Sequence, residues 1–172
     1  MQQLLKFGAQ DIAFEPLVLA GSNSALCHGH SRNDYKIVNG DCLLFDFGAT
    51  INGYHSDITR TFFLNSVSDE SKNMYDVVLR ANEKGRKISK PGISMHDLDD
   101  AVMNVLEDSN YKDFIVHKTG HGLGMNVHED PYVMRKNYEL LEKGMVITIE
   151  PGLYRDNYLG IRIEDDVLIT EK

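Results

Sequence analysis

Residues 42–64 read CLLFDFGATINGYHSDITRTFFL, and this stretch decides the fold. Its two ends, CLLFDF at 42–47 and ITRTFFL at 58–64, are apolar runs rich in β-branched and aromatic residues, and both predict strands. Asn52-Gly53 between them is a hairpin-turn signal. With Asn52 and Gly53 as the loop residues, Asp46 faces Thr59. Asp57 then lies on the same face, one diagonal step away. Diagonal neighbours are roughly 7–8 Å apart at the backbone, close enough for side chains to converge. A one-residue slip of register would put the two carboxylates on opposite faces. Asp is depleted in strands, and a buried, unpaired carboxylate is costly, so something cationic should compensate it. The alternative is an edge strand with Asp46 facing water.

The same pattern recurs downstream. Glu150 ends the apolar run 145–149 just before Pro151-Gly152, and Glu164 lies in a predicted strand over 161–169. By alternation Ile161 and Ile163 share one face, and Arg162 and Glu164 the other. Arg162 is thereby placed to hold a neighbouring carboxylate, unless it merely pairs with Glu164 at the surface. His121 sits in the Gly-rich stretch TGHGLG at 119–124, with His117 and His128 close by. Three histidines in twelve residues, out of seven in the chain, point to a site. His28 and His30 flank Gly29 in a polar stretch and read as loop histidines when taken alone. Four in-strand carboxylates and one imidazole form a hard, oxygen-rich donor set. That set suits Mn²⁺, with Co²⁺, Fe²⁺ and Zn²⁺ as alternatives. Four carboxylates exceed the needs of one ion and fit a pair bridged by carboxylates.

Around this candidate site the chain reads as one α+β domain. Leu17–Ala20 predicts a further strand. Met74, Val77, Val78, Ala81, Gly85 and Ile88 recur at helical spacing behind an N-cap at Ser68. Met95, Leu98, Ala101, Val102, Val105 and Leu106 form a second stripe, opened by Ser94 with Asp97 as a capping box. Strands, then helices, then strands imply an antiparallel sheet. The composition agrees: 172 residues, 42% apolar and 26% charged, is an ordinary globular domain. The net charge of −8 argues against nucleic acid as a partner. No apolar run is long enough for a membrane-spanning helix. Two cysteines, Cys27 and Cys42, make no disulfide scaffold. With no signal peptide at the N-terminus, a cytoplasmic protein with reduced thiols is expected.

Taken together, these residues carry a resemblance. The blocks LFDFG at 44–48, GYHSDITRTF at 53–62, HKTGHGLGMNVHEDP at 117–131, GMVITIEPGLY at 144–154 and GIRIEDDVLIT at 160–170 resemble, in order, the catalytic domain of the Xaa-Pro peptidases. SNSALCHG at 22–29 extends the match. These are aminopeptidase P and Xaa-Pro dipeptidase (prolidase), within the methionine aminopeptidase superfamily. The resemblance implies the pita-bread fold, a curved antiparallel sheet covered by helices. Residues 1–172 would form a single catalytic metallopeptidase domain. The first helices and the upstream domain of the family are not represented, and the chain is expected to open in an early helix over 1–9.

The family's five metal ligands fall on Asp46, Asp57, His121, Glu150 and Glu164, with Asp57 and Glu164 as the expected bridging pair and Glu150 also as general base. His28, His117 and His128 match second-shell and substrate-binding histidines. Arg162 matches an arginine supporting the site, and Tyr154 a nearby, substrate-binding tyrosine. The implied activity is hydrolysis of the bond between an N-terminal residue and proline, with two divalent ions per chain. Proline-containing dipeptides or peptides are the implied partners, and a homodimer is compatible with the family. The alternatives are a catalytically silent peptide- or protein-binding module, or a methionine aminopeptidase-like exopeptidase. Two departures stand out. Cys27 replaces the usual proline before His28-Gly29, and the stretch 28–41 is one residue longer than usual, so His30 competes with His28.

Overall fold

The computed structural model describes residues 2–171. In chain order its elements are α1 (Gln2–Lys6), β1 (Asp11–Ile12), β2 (Leu17–Ala20), β3 (Cys42–Phe47), β4 (Ala49–Ile51), β5 (Tyr54–His55) and β6 (Ile58–Phe63). The helices α2 (Asp69–Ile88) and α3 (Met95–Glu107) follow. The remaining strands are β7 (Gly120–Gly122), β8 (Glu129–Val133), β9 (Val146–Ile149), β10 (Gly152–Arg155), β11 (Leu159–Arg162) and β12 (Asp165–Leu168). The early helix expected over 1–9 is the short α1; Met1 lies outside the described residues.

Every strand pairing is antiparallel, as α+β requires. The hairpin forms in the expected register, with Asp46 opposite Thr59 and Thr50 opposite His55. Asn52, with φ 53°, and Gly53, with φ 81°, take the left-handed turn conformation that this tight connection requires. The strands of this hairpin are divided at Gly48 into two small sheets, β2-β3-β6 and β1-β4-β5. The other sheets are β12-β9-β7-β8 and the ribbon β10-β11.

The strand expected over 161–169 is two strands. β11 pairs with β10 and β12 pairs with β9, so the chain changes partners at Ile163-Glu164. Alternation survives the break: Ile161 and Ile163 are buried in the core, while Arg162 and Glu164 turn the other way. β7, β8 and β10 were not expected as strands. β7 is glycine-rich, β8 contains Pro131, and β10 is only four residues long.

Both helices start where the sequence places them. Ser68 Oγ accepts from the Ser71 amide and Ser94 Oγ from the Asp97 amide. Asp97, one methylene shorter than Glu, bonds the Ser94 hydroxyl instead of reaching back to the backbone. The helical stripes Met74-Val78-Ala81 and Leu98-Val102-Leu106 pack in one core with Ile147, Ile149, Ile161 and Ile163. The helices therefore cover one face of the strands and leave the other face to the carboxylates. Gly85 lets α2 approach closely: a Cβ there would sit 2.7 Å from Ile149 Cγ2 and 2.9 Å from Val102 Cγ2.

Asn82, fully buried on α2, ties this core to the opposite face. Its Nδ2 donates to the carbonyls of Ile149 (3.0 Å) and Ile163 (3.3 Å), the residues immediately before Glu150 and Glu164. Asn82→Leu keeps the volume and removes both donors. It should lower unfolding stability by about 1–3 kcal/mol per orphaned carbonyl, read as a drop in the urea midpoint. It should also weaken Mn²⁺ binding, because the two glutamates lose their shared anchor. An unchanged midpoint and affinity would show that the clamp is idle.

Candidate metal centre

Four strand ends bring the acidic residues to one place. Asp46 projects from β3. Asp57 precedes β6, and its amide donates to Asp166 Oδ2 at 3.1 Å. Glu150 follows β9, and its amide donates to the Thr119 carbonyl at 2.8 Å. Glu164 occupies the break between β11 and β12, and its amide donates to the Thr59 carbonyl at 3.1 Å. His121 sits at the centre of β7. Gly120 beside it permits the approach to β9, since a Cβ there would lie 2.0 Å from the Thr148 carbonyl oxygen.

These side chains, with His117, His128, His28 and Arg162, line one cavity of about 640 Å³. Ligand atoms of Asp46, Asp57 and Glu164 lie within 4.8 Å of one another, and so do those of His121, Glu150 and Glu164. Glu164 belongs to both groups. A third group joins Asp57 and His121 to His128. Asp46 Oδ1 and Asp57 Oδ1 are buried without a hydrogen-bond partner. Orphaned carboxylate oxygens converging on one point are what a cation site leaves when its donors are viewed alone. The donor set fits divalent metal.

Crowding and burial reshape the titrations. Burial, then the charge of Asp46, pushes the Asp57 carboxyl up to about 8. Burial pushes Glu150 up to about 7 and holds Glu164 well above the ordinary carboxylate range, Glu150 being the largest charge acting on it. Burial lowers His117 and His121 to about 4, so both imidazoles are neutral at pH 7. His121 Nδ1 lies 3.0 Å from the Gly122 carbonyl, which can only accept, so Nδ1 carries the proton. Its Nε2 lone pair then faces Glu150 Oε1 at 3.4 Å and Asp57 Oδ2 at 3.9 Å. Acceptors so placed need a proton or a metal ion between them.

Arg162 supplies the fixed positive charge. Its Nη2 pairs with Asp46 Oδ2, Nε donates to Thr59 Oγ1 at 3.0 Å, and Nη1 donates to the Tyr154 hydroxyl at 2.7 Å. The pair with Glu164 at the surface does not form. Tyr154 does not line the cavity; it is buried behind it, and its hydroxyl lies 2.9 Å from His117 Nε2. The His128 ring stands edge-on to His121, with centroids 4.2 Å apart. His28 and His30 are both exposed on the cavity rim. His28 is close enough for its charge to depress both His117 and His128.

The family model described as metallopeptidase family M24 matches residues 1–171. The chain belongs to that family. This M24 chain is 40% identical to the Xaa-Pro dipeptidase of Pyrococcus furiosus over 172 residues, covering 99% of itself and 49% of that protein. It is similar to the solved prolidase from Pyrococcus furiosus, with a TM-score of 0.93 and 39% identity over 98% of this chain and 50% of that one. It is also similar to the X-Pro aminopeptidase from Thermotoga maritima, with a TM-score of 0.91 and 40% identity over 97% of this chain and 47% of that one. The M24 chain thus has the pita-bread fold and spans about half the length of the curated relatives it matches.

Sequence reasoning missed several residues that build the site. Thr59 Oγ1 donates to Glu164 Oε2 at 2.6 Å while accepting from Arg162. Its signal was present in the register, directly opposite Asp46. Thr148 Oγ1 accepts the His121 amide at 3.1 Å. Lys118 and Cys27 also line the cavity; both fall within the blocks at 117–131 and 22–29, but the resemblance gives neither a role there.

Metal-free protein should lose stability as pH rises from about 6.5 to 8. Asp57 and Glu150 keep protons in the fold that the unfolded chain has released above roughly pH 4.5. The folded state then binds more protons, and stability falls with pH. His117 and His121 act in the opposite sense, but only between about 4 and their ordinary value near 6.5. Urea midpoints measured across this range should therefore fall, and added Mn²⁺ should restore more at pH 8 than at pH 6.5. A flat profile above pH 6.5 would mean that these carboxylates ionise freely.

Proposed function

We propose that this chain hydrolyses the peptide bond between an N-terminal residue and a following proline. Residues 1–172 would act as one catalytic domain. Asp46, Asp57, His121, Glu150 and Glu164 would hold two divalent ions, Mn²⁺ first among the candidates. The observation that carries this reading is the pair of ligand groups sharing Glu164. The Xaa-Pro dipeptidase similarity along the whole chain supports it. Free Cys27 and Cys42 suit a reducing, cytoplasmic setting.

Divalent ions bound there would supply Lewis acidity, polarising the scissile carbonyl and making water acidic enough to attack at neutral pH. Glu150, whose Oε1 lies 3.4 Å from His121 Nε2 at the heart of the site, takes the proton from the attacking water and hands it to the departing prolyl nitrogen. The carbon–oxygen bond forms first and leaves a tetrahedral carbon bearing an oxyanion; the carbon–nitrogen bond then breaks as the nitrogen takes the proton, and the proline leaves as a neutral amine.

The histidines divide the remaining work. His117 Nδ1 lies 2.8 Å from the Lys118 carbonyl and carries the proton. Its Nε2 accepts from the Tyr154 hydroxyl, which itself accepts from Arg162. Neutral His117 therefore has no proton to offer a developing oxyanion. His128, exposed at the cavity and free of such bonds among the described residues, is the group placed to donate. Tyr154 and Arg162 position His117 and Asp46.

Glu150→Gln should reduce hydrolysis of Ala-Pro in Mn²⁺ by about 10²–10⁴-fold, the usual worth of a general base. Circular dichroism should show an intact fold. Unchanged hydrolysis would remove Glu150 from the proton path. Parallel assays with a longer Xaa-Pro peptide and a Met-Ala peptide separate dipeptidase, aminopeptidase P and methionine aminopeptidase activities. Well-folded, Mn²⁺-loaded protein that cleaves none of them would favour the silent binding module.

A further inference from the structure

α3 carries a carboxylate where its core stripe calls for an apolar side chain. Asp99 is 3% exposed and lies between Leu98 and Val102, both fully buried. It makes no ion pair among the described residues; Arg135 gives its guanidinium to Asp100 and Glu107. Burying a carboxylate without a cation is costly, and only good hydrogen bonds offset the cost. Asp99 has two. Its Oδ1 accepts from the Thr119 amide at 2.9 Å and its Oδ2 from the Arg135 amide at 3.0 Å. Thr119 stands just ahead of β7 and Arg135 just beyond β8, so the carboxylate clamps the open end of that strand pair.

Thr119 is where the clamp reaches the metal centre. The peptide joining Lys118 to Thr119 has its N–H on Asp99 and its carbonyl 2.8 Å from His117 Nδ1. An amide that donates to an anion on one side is a stronger acceptor on the other. His117 Nε2 lies 2.9 Å from the Tyr154 hydroxyl, which accepts from Arg162 Nη1 at 2.7 Å, and Arg162 pairs with Asp46. A line of hydrogen bonds thus runs from α3 to a carboxylate of the site. Its direction depends on one proton. With Nδ1 protonated, Nε2 takes the Tyr154 proton and leaves the hydroxyl oxygen to accept from Arg162. With Nε2 protonated, Nδ1 and the Lys118 carbonyl would meet as two acceptors, and the Tyr154 proton would have no acceptor in the line. The Thr119 carbonyl also accepts the Glu150 amide at 2.8 Å, so one residue serves both His117 and Glu150.

We infer that Asp99 is a positioning residue of the metal centre: it holds the plane of the Lys118–Thr119 peptide and, through it, the Nδ1–H tautomer of His117. The consequence for hydrolysis rests on the peptidase reading above; the tautomer itself does not.

The test reads the imidazole nitrogens by ¹⁵N NMR in metal-free, ¹⁵N-histidine-labelled protein at pH 7. His117→Gln identifies the His117 signals by their loss. The intact chain should show His117 with Nδ1 protonated and Nε2 bare. Asp99→Asn keeps the shape, removes the charge and leaves one of the two amides without an acceptor. It should move the two His117 signals toward each other, as a mixture of tautomers does. Val102→Ala loosens the same helix one turn on without touching either hydrogen bond, and should leave the single tautomer. Tyr154→Phe removes the partner on the other ring nitrogen and should leave it too. A single tautomer that survives Asp99→Asn overturns the inference. So does its loss in Val102→Ala, which would make it a matter of helix packing, or in Tyr154→Phe, which would assign it to the tyrosine. If Asp99→Asn does not fold, Tyr154→Phe still decides whether the Asp99-held peptide sets the tautomer. In Mn²⁺-loaded protein Asp99→Asn should lower kcat/KM for Ala-Pro about 10-fold, the lower end of what outer partners of metal sites contribute. Absence of hydrolysis in the intact chain would defeat the peptidase reading and leave the NMR result standing.

Discussion

Four carboxylates, three buried and Glu150 half-buried, gather around one point and repel one another, and the fold is arranged around that constraint. Arg162 offsets one of them directly through Asp46. The pair is nearly dry, with both residues under a tenth exposed, so removing either partner would strand a charge in low dielectric. The arginine is fixed from several sides. Thr59 meets its Nε, Tyr154 its Nη1, and Thr61 both its amide and its carbonyl. Thr59 and Thr61 face inward from β6, so the ITRT stretch that reads as ordinary β-sequence also ties β6 to β11, with which it shares no strand ladder among the described residues. The charge left over after Arg162 is what protons hold in metal-free protein and what divalent metal would replace.

The other face of the strands makes this possible. Ile147 and Ile149, then Ile161 and Ile163, bury against α2 and α3 and oblige their neighbours Glu150, Arg162 and Glu164 to face the cavity. Hydrophobic burial thus sets the direction of the acidic residues, and their own interactions oppose it. Asn82 adds precision by holding the carbonyls just ahead of Glu150 and Glu164. Gly85 and Gly120 set the spacing, one letting a helix approach the strands and the other letting β7 lie against β9.

Much of this arrangement is legible in the residues because strand alternation and hairpin register are local rules. Asn52-Gly53 determines that Asp46 opposes Thr59, and the approach of Asp57 follows. What is not legible depends on tertiary partners. Nothing local divides 161–169 at Glu164, since the division arises from β11 and β12 pairing with different strands. Gly120–Gly122 becomes a strand only because β8 and β9 flank it. Asn82 lies on the inward stripe of α2, yet an apolar-periodicity reading passes over an amide. Tyr154 marks the limit of motif reasoning: it lies near the site as expected, but behind the wall, where it touches His117 and Arg162 in place of the cavity.

The proton inventory of the histidines then separates three imidazoles that the sequence presents alike. His117 and His121 each give Nδ1–H to a backbone carbonyl, which fixes the tautomer and leaves Nε2 as a lone pair. The difference lies in what that lone pair meets. For His117 it is a hydroxyl proton, and the ring becomes part of a chain running Arg162–Tyr154–His117. For His121 it is a set of carboxylate oxygens, an arrangement unstable without a positive charge between the acceptors. His128 shares neither restraint and keeps its exposure. Two rings with the same burial-driven depression therefore differ in what they lack: the protein satisfies His117, while His121 is left facing acceptors.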